Sequence, residues 1–295
     1  MIKQKNKIIV YKPQSKALSL QTTAWNSLSL ESQKAYNYDF KLFFKIVGKD
    51  LNQVSANDIL SFIEYLRNNN YKNSSINRKV ASLSKMFKVL VVSGKIKQNP
   101  VDTLKQFRNI SMKVEKEIKL SLTMQDIRKA IKSKSPADIK MIILVRMLVK
   151  TGLRISEMIH ITKKDIKDHD TGNKIIRIVG KGRKERFIFL DNEFLSEIKK
   201  VFPDKKGIDY LFYTNRNDCY DRRVLCMQMA AFFKRTIDKH VHPHQLRHLF
   251  ISHKISIEKM DIKSVSLYAG HSSTSITLDM YVDTALNVKQ AQIKI

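Results

Sequence analysis

Apolar side chains recur at every third or fourth position between residues 29 and 107, which is the spacing of one face of an amphipathic helix. The pattern predicts helices that begin near Ser29, Ser55, Ser74 or Ser75, and Pro100. Gly48 and Gly94 follow the first and third apolar stripes and end those helices. Asp58 stands three residues after Ser55, which is the spacing of a capping box. Four helices with short connections predict a small α-helical domain.

The pattern changes after this first block. Residues 108–120 lose the apolar periodicity and mix lysine with glutamate, as in an interdomain linker. Thr123 and Asp126 then have the spacing that caps a new helix. The apolar stretch Ile142–Leu153 predicts a buried helix that ends at a turn on Gly152.

Two later runs are rich in β-branched and aromatic residues and predict strands, Lys174–Val179 and Glu185–Leu190. The turn Gly180–Lys184 joins them, and from Asn192 onward the pattern is helical again. The predicted fold class is therefore mainly α with a small antiparallel β-sheet. It consists of an all-helical N-terminal domain and an α+β second domain.

The predicted organisation has five segments. They are a basic flexible arm (1–24), a helical domain (25–108), a linker (109–121), a second domain (122–281) and a C-terminal tail (282–295). The tail is more apolar than a solvated terminus usually is.

The charge of the chain indicates a polyanionic partner. Lysine and arginine number 55 against 27 aspartate and glutamate, a net charge of +28. Residues 1–113 hold 20 basic and 6 acidic side chains, and the remaining 35 and 21 give the same excess of +14. A basic excess on both sides of a linker suits a clamp around double-stranded DNA. The alternative is that lysine usage reflects only the base composition of the genome.

Cysteine and apolar patterning indicate a cytoplasmic protein. Cys219 and Cys226 show no pairing pattern, so a disulfide framework is not expected. The N-terminus lacks an apolar signal core, and the longest apolar stretch, Met141–Val149, is interrupted by Arg146. That stretch is too short to cross a bilayer, and no membrane association is expected.

An ordered series of residues in the second domain carries the candidate chemistry. It runs Thr151-Gly152-Leu153-Arg154-Ile155-Ser156-Glu157, then Gly180-Lys181-Gly182, then His244-Gln245-Leu246-Arg247-His248, then Gly270-His271 and finally Tyr281. The phenol of a tyrosine ionises only near pH ~10. A tyrosine that attacks a phosphodiester without a metal ion therefore needs cationic donors around the phosphate. Half of the eight glycines, Gly152, Gly180, Gly182 and Gly270, stand beside these candidates, which favours a single site.

These motifs, in this order, resemble those of the tyrosine recombinase (phage integrase and Xer) family over roughly residues 25–285. The resemblance implies that Arg154 and Arg247 clamp the phosphate and that Tyr281 is the nucleophile. It also selects Lys181, over the neighbouring Arg183 and Lys184, as the donor to the departing 5′ oxygen.

The two histidines of the resemblance have related roles. His244 would accept or donate a proton near the attacking phenol, and His271 completes the catalytic set. Glu157 is expected to orient its helix or Arg154, and His248 to have a structural role. Neither a nucleotide cofactor nor a metal ion is expected.

The resemblance also implies the roles of the segments. The domain 25–108 would bind DNA, the domain 122–281 would be catalytic, and the tail 282–295 would dock onto a neighbouring protomer in preference to folding back or fraying.

The same resemblance implies the partners. They are double-stranded DNA with paired inverted-repeat core sites and three further copies of the chain, so that a homotetramer exchanges strands on two duplexes through a Holliday junction. Accessory DNA-bending proteins are a further expected partner.

The gap of ten residues between His271 and Tyr281 is one longer than in Xer members and resembles mobile-element integrases. The limited length before residue 25 favours a simple resolvase, or an integrase that needs few accessory proteins.

Three alternatives compete with this interpretation. A type IB topoisomerase-like relaxase uses a similar residue set and religates the same strand. A second alternative is a DNA-binding protein that uses the fold without catalysis, although all six catalytic positions are filled. Finally, five of the eight histidines lie between residues 240 and 253, a density that could indicate zinc, but the spacing and ligand types of zinc sites are missing.

Overall fold

The computed structural model describes residues 30–107, 109–111, 122–133, 135–169, 172–180, 185–271 and 273–278. The chain divides into two compact units, Met1–Glu117 and Ile118–Ile295. The predicted arm, the tail and all but three residues of the predicted linker lie outside the described residues, so their assignments remain predictions. Within the described ranges, no helix is long and apolar enough to cross a bilayer.

The described part of the first unit is helical, as predicted. Its helices are α1 (Leu30–Val47), α2 (Ala56–Asn68), α3 (Asn73–Val92) and α4 (Pro100–Phe107), with a 3-10 turn at Leu51–Gln53. The predicted capping box opens α2, because the backbone N–H and the hydroxyl of Ser55 both donate to Asp58 Oδ2, at 2.8 and 2.7 Å. The core is aromatic: Phe43 is fully buried and packs edge-to-face against Phe62 and Phe87.

One carboxylate is buried inside this helical unit. Asp39 on α1 is fully buried and receives Lys79 Nζ at 2.7 Å and the Arg78 guanidinium at 2.7 and 3.1 Å. Lys79 is itself buried, whereas half of the Arg78 side chain is exposed. The two cations offset the cost of burying the charge of Asp39, and they fix α3 against α1.

The second unit combines helices with a small sheet. Its described elements are α5 (Met124–Ala130), α6 (Ile139–Thr151), α7 (Ile155–Ile159), β1 (Ile166–Asp168), β2 (Lys174–Val179), β3 (Glu185–Leu190), α8 (Asn192–Val201), α9 (Arg222–Ile237), α10 (Pro243–Ser256) and α11 (Ile262–Ala269). Residues 274–278 are also helical. The predicted Thr123–Asp126 capping box opens α5.

The sheet is antiparallel with the order β1-β2-β3. Both predicted strands have the predicted bounds, and Ile176 pairs with Ile188 on the buried face. On the opposite face, Phe187 and Phe189 are about half exposed. Strand β1 was not predicted, because three residues, Ile-Lys-Asp, are too few to show a period of two.

The prediction that residues from Asn192 onward are helical is wrong for the segment between α8 and α9, which is not helical. Phe202, Phe212 and Tyr213 from this segment are nevertheless buried and pack edge-to-face. Its apolar residues therefore fill the core without a helix, because tertiary packing overrides local periodicity.

Two helix ends bring the candidate residues together. Helix α6 is largely buried and ends at Gly152, and α11 ends at Gly270, both in the left-handed conformation with φ of 63° and 72°. Helix α10 packs against both α6 and α11. Its Phe250 ring lies directly against Gly152, where a Cβ atom would come within 2.3 Å of Phe250 Cδ1.

Replacing Gly152 with alanine should therefore destabilise the second unit more than a left-handed conformation alone would. The conformation costs about 1–2 kcal/mol, and the clash with Phe250 adds about 1–3 kcal/mol of overpacking. Gly207→Ala is the matched control, since its φ is +81° and nothing lies within 4 Å of its added Cβ. Urea unfolding should show a larger loss of unfolding free energy for Gly152→Ala than for Gly207→Ala. Equal losses would show that Phe250 moves aside for the added Cβ atom at no cost.

Candidate active site

Arg154 lies at the N-terminus of α7, two residues after the left-handed turn at Gly152. Its guanidinium donates from Nη1 to Glu157 Oε1 and from Nη2 to the Gly270 carbonyl oxygen, each at 2.9 Å. About a third of the side chain, 34%, remains exposed. Arg154 thus combines a fixed position with access to solvent, which an anion-binding arginine requires.

Glu157 is the carboxylate on which this position depends. It is 7% exposed, and its Oε2 accepts the backbone N–H of Arg154 at 2.8 Å. Arg186 on β3 donates to both carboxylate oxygens, at 3.1 and 2.9 Å. Burial alone would raise the pKa of Glu157, but the hydrogen bonds from Arg186 and the Arg154 backbone outweigh it and lower that pKa. Glu157 is therefore ionised at neutral pH and holds both α7 and Arg154, as predicted.

Arg247 connects the two helix ends from below the surface. It is 2% exposed, and it donates from Nη1 to the Gly152 carbonyl at 2.5 Å and from Nη2 to the Ala269 carbonyl at 2.6 Å. Burial, and then repulsion from Arg154, lower the pKa of Arg247 to about 10, although Glu157 opposes the shift. Arg247 remains protonated at neutral pH and is a permanent positive charge inside the site.

His244 lies one helical turn before Arg247, in the first turn of α10. The residue is exposed, yet enough protein surrounds its ring for desolvation to lower its pKa, and repulsion from Arg247 and Arg154 adds to the effect. His244 is therefore neutral at pH 7, and its imidazole can either accept a proton or donate one.

His271 follows the left-handed turn at Gly270. Its Nδ1 lies 2.6 Å from Oγ1 of Thr277, a fully buried residue, so the ring has a fixed orientation. Desolvation, followed by repulsion from Arg247 and Arg154, lowers the pKa of His271 to about 4. His271 is therefore neutral at pH 7, and the positive charge beside it belongs to the arginines.

Four of the six predicted catalytic residues are thus brought together in the described structure, and they are Arg154, His244, Arg247 and His271. Lys181 and Tyr281 lie outside the described residues, so their positions remain predictions. The cluster formed by Arg154, Arg186, Arg247 and Glu157 has three cations and one carboxylate. Its net positive charge favours an anionic group such as a phosphodiester.

Arg186 was not assigned a role from the sequence, where it stands only as the second residue of the predicted strand Glu185–Leu190. A usable signal was present. In β3, Arg186 has the same parity as Ile188 and Leu190, the two buried positions of the strand. An arginine on the buried face of a strand requires a charged partner, and Glu157 is that partner.

The histidine-rich stretch has a different arrangement. His240 and His242 lie close together, with ring centroids 4.5 Å apart. Nowhere in the part of the chain that the structure describes do three or more histidine, cysteine, aspartate or glutamate side chains form a group suited to a metal ion.

Comparison with known families assigns both units. The model described as "Phage integrase family" matches residues 120–287, more than half of the chain. That described as "Phage integrase, N-terminal SAM-like domain" matches residues 23–94. The chain belongs to the phage integrase family of tyrosine recombinases. This recombinase is an enzyme that cuts and rejoins DNA, so the predicted family and activity are confirmed, and they favour recombination over the topoisomerase-like alternative.

Individual relatives are similar over most of their length. A tyrosine recombinase of Thermosipho africanus (strain TCF52B) is 27% identical over 268 residues, covering 88% of this chain and 91% of the relative. The tyrosine recombinase XerD of Rickettsia prowazekii (strain Madrid E) is 28% identical over 270 residues, covering 84% and 85%.

Solved structures show the same fold. A lambda integrase (75–356) dimer bound to a COC′ core site has a TM-score of 0.69 at 15% identity, and the match covers 87% of this chain and 90% of the integrase. The Tn1549 transposon integrase in complex with circular intermediate DNA has a TM-score of 0.66 at 17% identity, covering 91% and 95%. The predicted fold class, mainly helical with a small antiparallel sheet, is confirmed.

The low pKa of His271 should make stability depend on pH. The folded pKa is about 4, whereas an unfolded histidine titrates near 6.5. As pH falls through 6.5, the unfolded state binds the proton first, so stability decreases from about pH 7 until the pH reaches about 4. In His271→Gln the free energy of unfolding should depend less steeply on pH. Between pH 6 and 4.5 the slope should correspond to about one fewer proton taken up on unfolding. Melting curves across this range test it, and identical pH dependences would contradict the burial of the neutral ring.

Proposed function

We propose that Tyr281 attacks a DNA phosphodiester and forms a 3′-phosphotyrosyl link, releasing a 5′ hydroxyl. The 5′ hydroxyl of a partner strand then attacks that link, which restores the phosphodiester and frees Tyr281. The covalent intermediate conserves the energy of the broken bond, so the reaction needs no nucleotide cofactor. The observation that supports this best is the convergence of Arg154, Arg247 and His271 on the two helix ends at Gly152 and Gly270.

The two arginines divide the work of binding the phosphate. Each guanidinium has five N–H donors. In both arginines, each terminal nitrogen already donates one hydrogen bond to the protein, which leaves three donors. Arg154, which is partly exposed, binds the non-bridging oxygens directly. Arg247, which is buried, holds both turns in place and adds fixed positive charge beneath the phosphate. Charge that is already in place when the transition state forms lowers the barrier most effectively.

The neutral histidines and the lysine move or hold protons. His244 exchanges a proton with the attacking phenol, and His271 donates a hydrogen bond to the phosphate. Lys181 protonates the departing 5′ oxygen, with Arg183 and Lys184 as its competitors for that role. A neutral histidine is suited to either direction of the reaction, because cleavage and rejoining require the opposite proton transfers.

The proposed assembly follows relatives of known structure. One is a lambda integrase tetramer bound to a Holliday junction, and another is XerH bound to a palindromic difH substrate after cleavage. We assign this recombinase a homotetramer on two duplexes, with paired inverted-repeat core sites and exchange through a Holliday junction. Its two units grip the duplex as a clamp, and accessory DNA-bending proteins assist. The reaction resolves or integrates a mobile element or replicon, in the cytoplasm at the nucleoid.

Tyr281→Phe should abolish the covalent adduct on a nicked suicide duplex and leave DNA affinity unchanged, because only the hydroxyl is lost. Tyr220→Phe is the control: burial raises the pKa of Tyr220 to about 12, so its phenol is a poor nucleophile and its loss should leave the adduct intact. Denaturing electrophoresis detects the adduct, and the reaction should proceed in EDTA. An adduct that persists in Tyr281→Phe would move the nucleophile to another residue.

DNA binding should weaken steeply with salt because the net charge of +28 is spread over both units. Each neutralised phosphate contributes a slope of roughly −0.9 to log K against log salt. For about 6–10 contacts, affinity should fall about 10³–10⁵-fold between roughly 50 and 200 mM salt. Fluorescence anisotropy at several salt concentrations measures the slope. A slope near zero would rule out a clamp built on phosphate contacts.

A further inference from the structure

The side chain of Arg186 contacts both segments that hold Arg154 in place. Its two terminal nitrogens bind the carboxylate of Glu157, and its Nε donates to the Tyr268 carbonyl at 2.9 Å. Arg154 is itself held by Glu157 on one side and by the Gly270 carbonyl on the other. Arg186 therefore binds one anchor of Arg154 directly and binds the backbone two residues before the other anchor.

Arg186 also limits the path of the backbone before His271. A Cβ atom at Gly270 would come within 2.8 Å of Arg186 Nη1 and 2.9 Å of its Cζ. The guanidinium thus lies directly against the backbone of Gly270, whose left-handed conformation directs the chain into His271. Arg186 is therefore in contact with the turn that precedes the imidazole of His271.

The same residue fixes one strand of the predicted hairpin. Arg186 is the second residue of β3, and Lys181 stands five residues before it in the chain. Only 12% of the Arg186 side chain is exposed, so it is not available as a DNA-binding group itself. Its three hydrogen bonds go to Glu157 and to the Tyr268 carbonyl. Arg186 therefore supports the site through Glu157 and the turn at 268–270.

We propose that Arg186 is the positioning residue of the active site, which holds Arg154 and the Gly270–His271 turn in the geometry that cleavage requires. This inference rests on the proposed function for its catalytic consequence. Lysine cannot replace arginine here, since one ammonium cannot span two carboxylate oxygens and a backbone carbonyl. Arg186→Lys keeps the positive charge but loses the planar set of donors that binds Glu157 and the Tyr268 carbonyl at once. It is therefore the informative variant.

The first test needs no DNA. NMR titration of His271 should show its pKa rising from about 4 in the wild type by about one unit or more in Arg186→Lys, as a loosened turn lets water reach the ring. Arg177→Lys is the matched control. Arg177 is on the neighbouring strand, pairs with Asp165 and Glu185, and belongs to the opposite face of the sheet. An unchanged His271 pKa in folded Arg186→Lys would overturn the proposal, because a purely structural arginine would leave that pKa where it is.

The second test measures catalysis on a nicked duplex that carries a binding site selected from a random-sequence library. Arg186→Lys should slow single-turnover formation of the adduct on the order of 10²-fold, as a small misplacement of catalytic groups does. DNA affinity should stay within about twofold, since buried Arg186 makes no phosphate contact. Wild-type cleavage by Arg186→Lys would overturn the proposal. If the wild type itself forms no adduct, the proposed function fails, and the titration still decides the role of Arg186.

A second variant guards against misfolding. Glu157→Gln combined with Arg186→Met removes one negative and one positive charge together, so the net charge of the cluster is unchanged. The amide oxygen of the introduced glutamine still accepts the Arg154 backbone N–H. This double variant should fold and cleave slowly, and a wild-type rate in this variant would overturn the proposal.

Discussion

The site depends on one buried guanidinium. Arg247 binds the carbonyl oxygens of Gly152 and Ala269, which belong to the last turns of two different helices. The C-terminal carbonyls of a helix have no partner within that helix and carry partial negative charge. A buried cation between two such ends satisfies both and joins them. Arg154 and His271 take their positions from these two ends, and His244 lies one turn before Arg247 on the helix that carries it.

The charge balance of the site follows from the same arrangement. Three arginines surround a single carboxylate, Glu157, so the site without DNA has more positive charge than it can neutralise. The excess positive charge also acts on the histidines. Desolvation is the largest cause that lowers the pKa values of His244 and His271, and repulsion by Arg247 and Arg154 adds to it. A phosphodiester would supply the missing negative charge. Binding of DNA and the protonation of these histidines are therefore thermodynamically coupled.

Much of the fold and part of the candidate site could be predicted from the sequence. Helix starts were found where side chains cap the backbone, as at Ser55 and Thr123, because capping is a local interaction. Arg154, His244, Arg247 and His271, which lie together in the described structure, could be proposed from the sequence because their motifs are local too. Arg186 was missed, and so was the burial of Arg247, since both depend on partners far along the chain. Strand β1 and the non-helical segment before α9 were also decided by tertiary packing.

The alternation along β3 has a consequence for folding. Arg186 belongs to the buried face, and its neighbour Phe187 to the exposed one. A shift of the strand by one residue would exchange the two faces. It would place a phenyl ring against the carboxylate of Glu157 and leave that buried charge without its counter-ion, at a cost of about 3–5 kcal/mol. The ion pair therefore discriminates between competing registers of the hairpin, and it favours the register in which the site can form.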